Sequence, residues 1–238
     1  MSRSNPTAGN THPCTRWFEW NGETGSVKYY DKETKETVET GSDFTFIVLD
    51  ELAVIKGWHE KSQSGITSNE IRDTRTEILK VRSFKGGEII KGLYKAIKDQ
   101  VSNIGGHFTT NVYITYKDGN ELRLGSIQFK GAALNTWVEF KKENRSEILK
   151  KAIHIKGVFE GKKGRVIYKV PQFNLRDISE ETNENACAID RELQKYLAEY
   201  FKKSESFDPS EESQENLAER ESAEYDPEEA ESAEDVPF

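Results

Sequence analysis

The alternating pattern of residues 107–129 constrains the fold more than any other stretch of the chain. In HFTTNVYITYKDGNELRLGSIQF, two runs of alternating apolar and polar residues flank Lys117-Asp118-Gly119-Asn120. An Asp-Gly pair between two such runs is typical of the tight turn of a β-hairpin. The stretch therefore predicts two antiparallel strands, and a chain that builds much of its core from β-sheet.

Similar signals recur along the chain and predict further strands. One hairpin is predicted in RWFEWNGETGSVKYYD and another in KAIHIKGVFEGKKGRVIYKVPQF. DFTFIVLDELAVIKGW is typical of a strand with a break near Asp50-Glu51, and RTEILKVRSF is typical of a second strand. KETVET fits a further short edge strand, Gly86-Gly87 predict a turn before EIIKG, and SQSGITSNEIRD predicts a polar loop.

The apolar period changes to that of a helix in two places. In LYKAIKDQVSNI the apolar side chains fall at helical spacing, and Gly105-Gly106 follow as a stop signal. Residues 178–203 predict an amphipathic C-terminal helix, because one side would carry Ile189, Leu193, Tyr196, Leu197 and Tyr200. KGAALNTWVEFKKEN fits a short helix and a continuing strand equally well.

Together these elements predict a mainly β fold with minor α content. About seven to nine short strands, mostly in hairpins, and one internal helix fit an elaborated OB-fold-like Greek-key barrel. A generic β-sandwich is the alternative fold.

The charge of the chain is unevenly distributed. Residues 204–238 hold 14 acidic residues and one basic residue, a net charge of −13, so residues 1–203 carry +5 of the total of −8. Self-repulsion and a lack of apolar residues predict a disordered tail. The expected organisation is a disordered leader (1–14), an OB-fold-like single-stranded DNA-binding domain (15–177), the helix (178–203) and the acidic tail (204–238).

Several classes of protein are disfavoured by the sequence. No apolar run approaches the ~18 residues of a membrane span, and no signal pattern precedes the body, so a cytoplasmic protein without a membrane partner is expected. Cys14 and Cys187 are expected to be two separate thiols. Phosphate-loop, dinucleotide and zinc motifs are absent from the sequence, so neither a cofactor, a metal site nor an enzymatic activity is expected.

A nucleic-acid site is indicated by basic residues that interleave with aromatic ones on the predicted strands. Cations suit the phosphates of a single strand, and flat rings suit its unstacked bases. On a strand, residues i and i+2 share a face, so that Lys80, Arg82 and Phe84 would project together. The candidate binding residues are Trp58, Lys80, Arg82, Phe84, Lys85, Tyr113, Tyr116, Arg123, Lys130, Trp137, Lys162, Lys163 and Arg165.

The acidic tail runs into Asp235, Val236, Pro237 and Phe238. This tip resembles that of bacterial single-stranded DNA-binding proteins, although fewer consecutive acids precede it. The stretches FIVLDELAVIKGW, SGITSNEIRD and IQFKGAALNTWVEF make the body similar to phage-encoded single-stranded DNA-binding proteins. The resemblance implies an OB-fold-like body and a tip that binds partner proteins.

The sequence therefore favours a non-enzymatic protein that coats single-stranded DNA during replication, recombination or repair. Its tail would recruit the proteins of those processes, and self-association is a further expectation. One rival is an interaction protein whose tail imitates DNA and blocks or buffers a DNA-binding partner. A second rival is a metal-dependent nuclease that uses Glu70, Asp73 and Glu77 near Lys80.

Overall fold

The structure, a computed structural model, describes residues 12–205. Within that range the chain forms an eleven-stranded sheet and three α-helices, which confirms the mainly β fold. The strands are β1 (Arg16–Asn21), β2 (Ser26–Asp31), β3 (Glu36–Gly41), β4 (Phe44–His59), β5 (Ser64–Ser68), β6 (Leu79–Ser83), β7 (Gly87–Gly92), β8 (Gly106–Asp118), β9 (Glu121–Lys130), β10 (Ala152–Lys163) and β11 (Val166–Arg176). The helices are α1 (Tyr94–Asn103), α2 (Gly131–Glu143) and α3 (Glu180–Glu205).

The order of the sheet brings together strands that are distant in the chain. From edge to edge it runs β3-β2-β1-β9-β8-β4-β5-β6-β7, and the β10–β11 hairpin is attached at the start of β4. The sheet is mixed, because β1 and β9 are parallel whereas the other named pairs are antiparallel. The hairpins predicted from the turn signals form as β1–β2, β8–β9 and β10–β11.

Strand β4 is the centre of this arrangement. Its 16 residues pair with β10 at the start, with β8 along most of their length and with β5 at the end. A strand covered on both faces tolerates a continuous apolar run such as FIVL. The break expected near Asp50 is a register shift between Val48 and Asp50, and the strand continues beyond it. Such a bulge bends the strand without ending it.

Helix α2 covers the main core on one face of the sheet. Ala133, Leu134 and Trp137 are buried at helical spacing, which decides between the two predictions for this segment. The Trp137 ring is fully buried and stacks on Phe129, with 5.3 Å between the ring centroids. The prediction of a single internal helix is therefore wrong, since α1 and α2 both precede the C-terminal helix.

Helix α1 covers the same side of the sheet further along, over strands β4 to β7. Its buried Ile97 and Val101 join a second apolar cluster with Ile55, Ile66 and Leu79. Part of the predicted loop 62–73 is instead strand β5, which pairs with β4 and β6. Hydrogen bonding to a strand on each side stabilises β5, although its Ser-rich sequence does not predict a strand.

Helix α3 packs on the opposite face of the sheet. Leu193 and Leu197 are fully buried against Leu52, Tyr113 and Leu124, as the apolar stripe of the sequence predicts. Among the described residues, the apolar cluster under α3 takes its strand residues from β1, β4, β8 and β9, and none from β5, β6 or β7. The sheet therefore presents one partly exposed surface beside α3.

Two further expectations concern the cysteines and the membrane. Cys14 is buried, Cys187 is exposed, and neither takes part in a disulfide. Among residues 12–205, the helices are too short or too polar to cross a lipid bilayer.

Residues 1–11 of the predicted leader and 206–238 of the predicted tail, with the tip Asp235, Val236, Pro237 and Phe238, lie outside the described residues.

Candidate nucleic-acid interface

A row of polar side chains crosses the partly exposed surface beside α3 at right angles to the strands. His107 of β8 lies opposite Lys56 of β4, Lys56 opposite Thr67 of β5, and Thr67 opposite Arg82 of β6. Residues directly opposite each other in a sheet project from the same face. Lys56, Arg82 and His107 are partly exposed, so the row presents cationic groups to solvent, whereas Thr67 between Lys56 and Arg82 is buried.

Two aromatic rings lie beside this row on the same face. Trp58 is opposite Gly65, and both Trp58 and Phe84 are partly exposed. A Cβ placed on Gly65 would come within 2.5 Å of Phe84 Cε2, so the Phe84 ring lies directly over the Gly65 backbone. The missing side chain at Gly65 thus allows Phe84 to lie next to Trp58. The Trp58 indole donates a hydrogen bond to Glu60 Oε2 at 3.1 Å.

The surface extends across β8 to β9. Thr109 lies opposite Lys130, and both share the face of His107 because alternate residues of a strand project together. A small cavity of about 50 Å³ is lined by Glu19, Trp20, Lys56, Thr109, Gln128 and Lys130. We call this surface the basic face and define it by Lys56, Trp58, Lys80, Arg82, Phe84, His107, Gln128 and Lys130, with the buried Thr67 and Thr109 between them.

Positive charges face each other at the β6–β7 end of the basic face. Lys80 lies opposite Lys91, and like charges directly opposite each other destabilise a sheet. Acidic groups are present at the rim, with Glu88 opposite Arg82 and Glu19 at the small cavity.

The surroundings of His107 on this face favour its neutral form. Burial, and secondly the positive charge of Lys130, lower the pKa of His107 below its ordinary value. Its Nε2 atom is buried and has no hydrogen-bond partner among the described residues. Protonation would therefore place a charge in a poorly solvated position next to another cation.

The lowered pKa of His107 leads to a prediction for stability against pH. The folded state binds this proton more weakly than the unfolded state, so the stabilisation is complete above a pH of about 6.5 and is lost as the pH falls through the folded pKa. His107→Gln is expected to reduce the slope of the unfolding free energy against pH in that range, measured by urea denaturation. Lys130→Gln should give an intermediate slope, since it removes the charge but not the burial. Parallel curves for the wild type and His107→Gln would contradict the prediction.

Five of the residues predicted from the sequence lie on the basic face, and a sixth lies beside it. They are Trp58, Lys80, Arg82, Phe84 and Lys130, with Lys85 next to Phe84. Lys85 is exposed, and its ammonium group donates to the Gln63 carbonyl at 3.1 Å. Lys80, Arg82 and Phe84, which the i, i+2 spacing predicted to share a face, thus lie on one surface.

Three predicted rings are instead part of the core. Tyr113 and Trp137 are fully buried and Tyr116 is 2% exposed, so none of the three can stack on a base. Burial and the Glu70 carboxylate raise the pKa of Tyr113 well above its usual value, and its hydroxyl donates to Glu70 Oε2 at 2.6 Å. Tyr116 bonds Thr15 through its hydroxyl. The structure removes these three residues from the candidate site.

Four predicted cations lie away from the basic face. Arg123 forms ion pairs with Asp118 at 3.4 Å and with Glu121 at 3.1 Å, at the turn of the β8–β9 hairpin. It lies opposite Tyr116 and so projects from the other face of the sheet. Three exposed cations flank the turn of the β10–β11 hairpin, namely Lys162, Lys163 and Arg165.

The sequence prediction missed Lys56, Lys91 and His107. Lys56 stands two residues before Trp58, so the same i, i+2 spacing that selected Lys80 and Arg82 would have found it. His107 and Lys91 have no such local signal, because they join the surface only through pairing with distant strands.

The carboxylates proposed for a nuclease do not converge. Glu70 accepts hydrogen bonds from Asn111 and from a tyrosine, while Glu77 accepts from two backbone N–H groups of its own loop. Hydrogen bonds from Arg75 lower the pKa of Asp73 to about 2. Within residues 12–205, no group of three or more His, Cys, Asp or Glu side chains is arranged to hold a metal ion.

Comparisons with known proteins identify no relative of the chain. No protein-family model matches the chain, and neither does any curated protein or solved structure with which it was compared. The chemistry of the basic face follows from its own side chains, which combine cations with two partly exposed aromatic rings.

Proposed function

We propose that the protein binds single-stranded DNA on the basic face and coats it without a catalytic step of its own. The observation that carries the proposal is the row Lys56–Thr67–Arg82 beside the rings of Trp58 and Phe84. The cations attract phosphates, and each ring offers a surface on which one base stacks for roughly 1–3 kcal/mol.

A single strand suits this surface better than a duplex does. Bases in a duplex are already stacked and paired, so their flat faces are not available to Trp58 or Phe84. The rings lie within a sheet surface, partly exposed and close to the backbone of β5, rather than on a helix that could enter a groove. A strand with unstacked bases can lie across β4, β5 and β6 and use both rings and both cations.

The arrangement of the sheet supports an elaborated OB-fold-like barrel. The long, bulged β4 pairs with different strands at its two ends, and a backbone hydrogen bond of 2.7 Å from Lys169 N to Gly22 O joins β11 to the β1–β2 turn. Both features help a sheet to curl towards closure. We propose this fold together with the resemblance of the body to phage-encoded single-stranded DNA-binding proteins.

The acidic tail is proposed to bind other proteins of replication, recombination or repair. It follows α3, whose last turns contact the loop beside the basic face: Tyr200 accepts a hydrogen bond from Glu70 N, and Arg72 lies over the Phe201 ring. Its 14 acidic residues attract basic partner surfaces over long range, and Val236, Pro237 and Phe238 supply apolar contacts.

The proposal is tested by titrating the full-length protein into labelled oligonucleotides. We expect single-stranded DNA to bind more tightly than duplex of the same length, and the affinity to fall as salt rises. Each phosphate contact should contribute about −0.7 to the slope of log K against log salt concentration. Parallel RNA titrations define the preferred strand. Failure to bind single-stranded DNA at low salt would overturn the proposal, and preferential duplex binding would overturn its assignment of the substrate.

A further inference from the structure

The β10–β11 hairpin extends beyond the rest of the sheet. β10 pairs with β4 only from Ile153 to Ile155, whereas its pairing with β11 continues to Lys163 opposite Val166. A register shift between Ile155 and Gly157 marks the point at which the hairpin leaves β4. Beyond it the chain is a two-stranded β-ribbon, which we define as residues 157–171.

Large apolar side chains are exposed on this ribbon. Phe159 is 55% exposed, Val166 46% and Ile167 61%. Their neighbours at the turn are the exposed cations Lys162, Lys163 and Arg165. An apolar patch mixed with positive charge is typical of a binding surface rather than of an unused one.

One face of the ribbon repeats the packing of Phe84 over Gly65. Gly161 lies opposite Tyr168, and a Cβ placed on Gly161 would come within 2.4 Å of the Tyr168 ring. The Tyr168 ring therefore lies over a bare glycine, as Phe84 lies over Gly65. Phe159 stands two residues before Gly161 and so shares this face. Lys163, two residues after it, adds a cation to the pair of rings.

The base of the ribbon is hydrogen-bonded to the end of β1, the strand that pairs with β9 next to the basic face. Lys169 donates its backbone N–H to Gly22 and accepts a hydrogen bond from the Trp20 indole at 2.9 Å. Trp20 also lines the small cavity that contains Lys56 and Lys130. A strand that leaves the basic face past Lys130 would therefore meet the base of the ribbon.

We propose that Phe159 and Tyr168 form a second base-stacking site, which takes the continuation of the single strand bound on the basic face. The inference rests on the proposed function and adds to it a longer footprint with two separate stacking sites. The cations at the ribbon turn bind the phosphates between the stacked bases. A second copy of this chain is the less suitable occupant, since an isologous contact would bring two sets of three cations together.

The test compares two lengths of single-stranded DNA. The full-length protein and the double variant Phe159→Ala/Tyr168→Ala are titrated against strands of about 8 and about 32 nucleotides, half and twice the upper site size of one barrel. We expect the variant to lose about 30-fold or more in affinity for the long strand, because each of the two lost stacking contacts costs ~1 kcal/mol or more. Its affinity for the short strand should equal that of the wild type.

Controls separate the possible results. Phe159→Tyr/Tyr168→Phe keeps both rings and should bind the long strand like the wild type. Unchanged affinity of the alanine variant for the long strand, or an equal loss on both lengths, would overturn the second site while the proposed function stands. No binding of either strand by the wild type would overturn the proposed function. A wild-type dimer in sedimentation that the alanine variant abolishes would assign the ribbon to self-association instead.

Discussion

Trp58→Ala combined with Phe84→Ala is expected to weaken single-stranded DNA binding by ~30-fold or more. Each ring contributes roughly 1–3 kcal/mol by stacking on a base, and 1.4 kcal/mol corresponds to a factor of ten in affinity. The loss should hardly depend on salt, because neither ring carries a charge. Fluorescence anisotropy of a labelled thymidine oligomer at several salt concentrations measures both quantities.

The matched control keeps a ring at each position. Trp58→Phe/Phe84→Tyr should retain most of the affinity, since every aromatic ring offers a flat face. It should also lose most of the tryptophan quenching that binding produces, because Trp20 and Trp137 are buried and Trp17 packs against the apolar cluster under α3. Thermal melts of both variants report whether the sheet is intact. Wild-type affinity of the alanine variant would remove the rings from the site.

The strands were predictable where turn chemistry and alternation agree. Asp118-Gly119 between two alternating runs predicted β8 and β9, and the helical spacing of Leu193 and Leu197 predicted α3. Segment 131–143 was not predictable, because its apolar residues satisfy both periods until Trp137 is known to pack on Phe129. Strand β5 was missed since only its pairing with β4 and β6 makes SGITS extended.

The errors at Tyr113 and Tyr116 have one physical origin. Alternation predicts which residues share a face, but it does not reveal whether a second layer covers that face. Tyr113 and Tyr116 project to opposite faces of β8, and α3 packs on one face while the main core fills the other. Trp58 and Phe84 belong to the part of the sheet that α3 does not cover, and there the prediction agrees with the placement.

Removing two positive charges from the basic face tests the electrostatic part of the proposal. Lys56→Gln combined with Arg82→Gln is expected to reduce the slope of log K against log salt concentration by about 1.4, or about 0.7 for each lost phosphate contact. If the wild type and the variant bind equally at 1 M salt, this change of slope makes the affinity of the variant ~25-fold weaker at 0.1 M salt. Glutamine is chosen because it keeps a polar side chain of similar length in the row that contains Thr67.

The control makes the same change of charge elsewhere on the surface. Lys142 and Arg145 are exposed near the end of α2, where they line a surface pocket that does not include the basic face. Lys142→Gln/Arg145→Gln therefore lowers the net charge equally and should leave the salt slope almost unchanged. If both double variants shift the slope by the same amount, the binding depends on the overall charge of the body. Only a selective effect of Lys56 and Arg82 places the phosphates across β4, β5 and β6, next to the two rings on which the bases stack.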